Sequence, residues 1–177
     1  RIDQLKKIIS TNKLAAIKME VIRNHEPADN FLRQVRELAD QHGIVLIFDE
    51  CTSGFRETFG GIHKKFGVEP DVATFGKAMG NGYAITAVVG CQGVMREAEN
   101  SFISSTFWTE RIGCVAALAT LNVMEREKSW ETITAIGNHF RLKWKTLARS
   151  NNLQIKFSGL PSLGSFTLLS SDALKYK

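Results

Sequence analysis

The chain has 177 residues, 44% of them apolar, 23% charged and 9% aromatic, with only three prolines. This composition supports a real core and excludes disorder, collagen-like repeats and low-complexity tails. The formal charge is +5, no apolar run approaches the roughly 18 residues of a membrane-spanning helix, and the start at Arg1 has neither an apolar signal core nor an initiating Met, which suits part of a larger fold with no membrane partner.

In chain order, residues 14–21 form an apolar run of strand length, broken by Arg23, Asn24, His25 and Pro27. From Phe31 the positions Leu32, Val35, Leu38 and Ala39 recur at helical spacing, and Gly43 is a left-handed stop. Residues 44–48 are five apolar residues running into Asp49-Glu50, a pattern expected of a strand buried on both faces. Strand, helix, strand reads as a βαβ unit of a parallel sheet, and the fold class as α/β. A glycine-rich stretch with Gly54, Gly60 and Gly61 follows, then a short strand at 72–75, Gly76-Lys77, a loop with Gly80 and Gly82, and a strand at 85–90. Helices are predicted at about 110–127 and 130–148, and two antiparallel strands at 153–157 and 165–169.

A domain boundary is placed near residue 128, where the charge also changes. Residues 1–128 hold 16 Lys/Arg against 16 Asp/Glu, and residues 129–177 hold 7 against 2. The excess lies on Arg141, Lys143, Lys145 and Arg149 around Trp144 and Leu147, an amphipathic pattern that reads as a solvated face, so no nucleic-acid partner is expected. Cys51, Cys91 and Cys114 are odd in number and lack C-x-x-C spacing. Neither a disulfide framework nor a metal site is suggested, and reduced thiols point to the cytoplasm.

Ligands of open parallel sheets bind outside the carboxyl ends of the strands, which singles out Asp49-Glu50, Lys77 and the cluster Ser104-Ser105-Thr106. A nucleotide hydrolase would use Glu50 to polarise water and Lys77 on phosphates, but the phosphate loop fails, with Asp71 where its first glycine belongs and Ala78 after Lys77. A pyridoxal-phosphate enzyme would use Lys77 as the Schiff-base amine and Asp49 as the anion that keeps the pyridinium nitrogen protonated. Taken alone, Lys77 reads as a snorkelling lysine, Thr106 also as a helix cap, and Arg56 as a partner of Glu50 or Glu57 rather than of a substrate carboxylate. His42, His63 and His139 read as surface residues and Glu50 as structural.

The local sequence resembles the class III (subgroup II) pyridoxal-phosphate aminotransferases, in the flavour of glutamate-1-semialdehyde aminomutase. Three motifs carry the resemblance: the apolar run 46–48 into Asp49-Glu50 with Gly54-Phe55-Arg56, Gly67-Val68-Glu69-Pro70-Asp71, and Gly76-Lys77 with Gly82. It spans roughly residues 14–169 and implies a fold-type-I enzyme. It also implies pyridoxal 5'-phosphate as cofactor, an amino-acid or amino-aldehyde/keto substrate, and a homodimer with a shared active site. By position, Lys77 is the aldimine lysine and Asp49 the partner of the pyridine nitrogen. Cys51 stands where the family has a Val against the ring, and Thr106 takes the phosphate of the neighbouring subunit's cofactor. Asn24 or His25, with His25 preferred, reaches the ring hydroxyl. Glu20 matches the acid of a strand-end E-P, with Val21 in place of the proline, and Trp108 to Arg111 replaces the family's G-G-N-P. An aminomutase shares every residue named. The family's phosphate cup and stacking aromatic lie upstream, so a non-catalytic piece is a further reading.

Overall fold

The computed structural model describes residues 1–28 and 30–169; the last part of the terminal segment, 170–177, lies outside the described residues. Helix α1 (Ile2–Thr11) leads into β1 (Ala16–Glu20), α2 (Phe31–His42) and β2 (Val45–Asp49). Then follow β3 (Val72–Phe75), β4 (Ala87–Gly90), the short α3 (Gln92–Met95), the long helices α4 (Ile112–Glu127) and α5 (Ser129–Ser150), and the hairpin β5 (Ile155–Ser158) and β6 (Ser165–Leu168).

The first four strands form one sheet in the order β1-β2-β3-β4. β1, β2 and β3 run parallel, as the βαβ reading requires, whereas β4 returns antiparallel to β3. The segment between β3 and β4 contains only one short helical turn, at Lys77–Met79, and an antiparallel return needs no crossover helix. α2 forms because Leu32, Val35 and Ala39 fall on one buried face. It stops at Gly43, whose left-handed φ of 62° lets its N–H reach Ala39 and Asp40. The same spacing in Ile2, Leu5 and Ile9 makes α1, a helix the sequence reading did not assign.

Paired residues of neighbouring strands turn their side chains to the same face. Met19, Phe48 and Ala73 therefore share one face, with Leu46 and Phe75 two residues away along their strands. Leu46 and Phe48 are fully buried there against the α1–α2 layer, and Ala73 and Phe75 meet Phe55, Met79 and Ala117 of α4. The opposite face carries Lys18, Glu20, Ile47, Asp49 and Thr74. Ile47, Asp49 and Thr74 are half-buried, so β2 is not sealed on both faces as its unbroken apolar run suggested. Helices α1, α2 and α4 pack on the Phe48 face, whereas Met95 of the short α3 stands by Val72 and Gly90 on the other.

Two polar ties hold this frame. Asp71 Oδ2 accepts the Leu46 N–H at 2.7 Å and the Arg36 guanidinium at 2.9 Å, and Arg36 also meets Asp40 at 2.6 Å. The acid of the Pro70-Asp71 pair thus locks the crossover helix to the start of β2 and β3. In the terminal segment Arg141 is not on the solvated face. It donates to the Ser158 and Gly159 carbonyls at 3.2 and 2.7 Å and lies over the Phe157 ring. Trp144 stacks beside it on Phe157, while Lys143, Lys145 and Arg149 are exposed. Asp71→Ala is expected to lower unfolding stability by about 1–3 kcal/mol in urea titration, because it leaves the Leu46 N–H and Arg36 without their acceptor.

Candidate active site

The parallel register places Glu20 beside Asp49, and Asp49 beside Thr74, at the carboxyl ends of three adjacent strands. Asp49 ends β2, and the chain then turns sharply, with the Gly54 N–H bonded to the Glu50 carbonyl at 2.7 Å. A side chain at Gly54 would stand 2.7 Å from that carbonyl and 2.8 Å from the Phe75 ring, so the turn admits only glycine. Asp49 Oδ1 accepts the Cys51 N–H at 3.2 Å and the Thr74 hydroxyl at 3.4 Å, and Oδ2 meets the Lys18 ammonium at 3.0 Å. The hydrogen bond from Lys18, together with those from Cys51 and against the opposing effect of burial, holds the Asp49 carboxyl below its ordinary pKa, so it is an anion at neutral pH. The Cys51 thiol lies 3.8 Å from the Thr74 hydroxyl, on the same side as Asp49.

Lys77 follows β3 after Gly76, and its amine donates to the Thr52 hydroxyl at 2.6 Å. Its backbone is left-handed, with φ at 41°, an uncommon conformation for a residue with a side chain. Lys77 lines a cavity of about 700 Å³ whose walls include Arg56, Asn81, Thr120 and Ser129 and contain no Asp or Glu among the described residues. The amine-bearing residue and the anionic carboxylate therefore stand on neighbouring strand ends, joined through the segment Cys51-Thr52. An anion able to hold a protonated ring nitrogen and an amine beside an open cavity are the donor set a pyridoxal cofactor needs.

Two other expectations are corrected. His63 is 5% exposed, not a surface residue: its Nδ1 lies 2.9 Å from Glu50 Oε1, which also accepts the His63 N–H at 3.0 Å. The Ser53 hydroxyl closes on Glu50 Oε2, and Glu69 lies 3.5 Å from His63 Nε2. Glu50 is indeed structural, a buried pillar under the turn. Arg56 pairs with neither predicted acid. Glu50 is engaged by His63 and Ser53, Glu57 by Lys65, and the Arg56 Nε is buried without a partner among the described residues. His42 and His139 are exposed, as read from the sequence.

Thr106 and His25 are not brought to Asp49 within the chain. Both are exposed in loops, and neither side chain makes a hydrogen bond among the described residues. Thr106 does not cap α4 either: the Glu110 carboxylate accepts the N–H groups of Ile112 and Gly113. Sequence reading missed Lys18 as the partner of Asp49. The signal available was a charged residue inside an apolar strand.

The fold is shared with solved chains of pyridoxal-phosphate and aminotransferase proteins. The FumI protein of Sphingopyxis sp. MTA144, solved in its PLP internal aldimine form, superposes with a TM-score of 0.90 at 24% identity, over 98% of this chain and 44% of that one. The acetylornithine aminotransferase of Elizabethkingia anophelis superposes at 0.81 with 28% identity, over 96% and 44%. The family model of Aminotransferase class-III matches residues 2–170, and the chain belongs to that family. Among curated relatives it is 39% identical to 3-aminobutyryl-CoA aminotransferase of Cloacimonas acidaminovorans, over 99% of the chain and 45% of the relative. It is 30% identical to glutamate-1-semialdehyde 2,1-aminomutase of Methanococcoides burtonii, over 92% and 40%. The chain thus spans less than half the length of either relative.

For the Glu50 pillar, burial pushes the carboxyl up, but hydrogen bonds from His63 and Ser53 outweigh it and hold the pKa below its ordinary value. A depressed native pKa contributes stability above the unfolded value, near 4.3, and that contribution is lost as pH falls toward the native one. Glu50→Gln is expected to cost about 2–4 kcal/mol at neutral pH and to flatten the acid limb of a stability-against-pH series measured by denaturant unfolding.

Proposed function

We propose that this chain carries the lysine half of a pyridoxal-phosphate-dependent amino-transferring site. The observation that supports the reading most is the pair at the strand ends: an ionised Asp49 and, one strand over, Lys77, which lines a cavity with no Asp or Glu among the described residues. Pyridoxal 5'-phosphate, when bound, supplies an aldehyde that takes up amines and a ring that accepts the electron pair left on the substrate carbon. Asp49 holds the proton of the ring nitrogen. Lys77 anchors the cofactor through its amine. Freed from that bond, Lys77 Nζ would be placed to move a proton between the amine-bearing substrate carbon and the cofactor carbon. Cys51 packs beside Asp49 as a soft apolar neighbour. Arg56, its guanidinium pushed down in pKa by burial and lacking a counter-ion among the described residues, is suited to receive a substrate carboxylate in the cavity.

The remaining roles come from the family resemblance. Thr106, exposed in its loop, serves the phosphate of a second subunit in a homodimer, and His25 or Asn24 the ring hydroxyl. A large domain ends near residue 128, where Lys128 adopts a left-handed φ of 48° between α4 and α5, and a smaller domain begins. No described helix is long and apolar enough to cross a membrane. We place the protein in the cytoplasm, in keeping with its three free cysteines. The similarity to an aminomutase supports a second reading, in which the amine stays on one carbon skeleton; turnover without a second amino acid would select it.

In the full-length protein, Lys77→Ala is expected to abolish the visible absorption of lysine-bound cofactor and the label that borohydride fixes on the Lys77 peptide. The rate should fall by about 10²–10⁴-fold. An unchanged spectrum and label would overturn the assignment. Arg56→Met is expected to raise KM for carboxylate-bearing amines by roughly tenfold, with little change for neutral amines of the same length, in steady-state assays.

A further inference from the structure

Lys18 has no part in the reading above, yet it makes the closest contact to Asp49. β1 turns Lys18 and Glu20 to one face, two residues apart. Glu20 is engaged by Arg23 at 3.1 Å, and the Lys18 ammonium reaches across to β2, where it meets Asp49 Oδ2 at 3.0 Å. The other Asp49 oxygen receives the Cys51 N–H and the Thr74 hydroxyl. Lys77, the second cation nearby, is engaged by Thr52. Lys18 is therefore the one cation on this carboxylate among the described residues, and a protonated ring nitrogen arriving there would be the second.

Resting on the assignment of Asp49 to the cofactor's ring nitrogen, we propose that Lys18 is a resident counter-cation of Asp49, which occupies the carboxylate before the cofactor arrives and then shares it with the ring nitrogen. Two cations on one carboxylate repel, and each weakens the hold of the other. The Lys18 side chain is 61% exposed, so withdrawing its ammonium into solvent costs little, and its effect is modest and graded. Lys18 thereby limits how tightly Asp49 binds the ring nitrogen and how firmly that nitrogen keeps its proton. It is a positioning residue, acting through Asp49 and touching no substrate.

The test uses the full-length protein freed of cofactor and titrated with pyridoxal phosphate, with binding followed by quenching of tryptophan fluorescence. Lys18→Met is expected to bind about two- to fivefold more tightly than the parent, the range open to a largely exposed ion pair. Lys18→Arg should bind like the parent, and Lys18→Gln provides the neutral variant should Met fail to fold. The same titrations with deazapyridoxal phosphate, which has carbon in place of the ring nitrogen, should show no gain on removing the lysine charge. Unchanged or weaker binding of pyridoxal phosphate by the neutral variants, or an equal gain with the deaza analogue, overturns the role of Lys18. Asp49→Asn, measured in parallel, separates the two layers: parent-like binding there would overturn the assignment of Asp49 itself, and the Lys18 proposal with it.

Discussion

The site depends on the parallel register of three strands. Because β1, β2 and β3 pair in step, Glu20, Asp49 and Thr74 lie side by side at the same level, and every polar contact that follows is within reach of that row. A shift of one residue in β2 would turn Asp49 into the packed face with Phe48 and expose the phenyl ring, at a cost of several kcal/mol in burial alone. The register is held at its far end by Asp71, which fastens the start of β2 to the crossover helix through Arg36. A carboxylate at the far end of the strands thus helps to fix the register that places Asp49.

The two acids at the end of β2 divide their work according to environment. Asp49 faces the open side and is stabilised by an exposed lysine, while Glu50 turns inward and is satisfied by Ser53 and His63. Glu50 carries the sheet one step further, since its N–H bonds the Thr74 carbonyl at 2.9 Å. From that point the chain can bend, and the bend admits no side chain at Gly54 or at Gly61, where one would run into the His63 ring. The glycines and the buried acid form one construction, whose product is a rigid ledge bearing Cys51, Thr52 and Arg56.

Much of this was legible in the sequence, for physical reasons. The apolar run 44–48, the helical spacing from Phe31 and the stop at Gly43 are local signals, and they yielded the βαβ unit and hence Asp49 at a strand end. Lys77 was found by its position between Gly76 and Ala78 after the next strand. Contacts across the sheet were not legible: Lys18 and Asp49 are 31 positions apart, and only the register joins them. His63 looked like a surface histidine because its partner lies 13 residues back, and Arg56 looked paired because acids flank it in sequence. The open face of β2 escaped notice because Val45 and Ile47 are as apolar as Leu46 and Phe48, so hydrophobicity alone could not say which side α1 and α2 cover.

If Lys77 has the proposed role, its left-handed backbone sets durability against chemistry. A side chain in that conformation costs about 1 kcal/mol or more relative to glycine, which adopts it freely. Glycine at this position would relax the backbone and leave a more stable protein with no amine to offer. Selection for stability alone would remove the lysine. On the proposed role of Lys77, chains of this fold that have lost the chemistry should drift toward glycine at this turn.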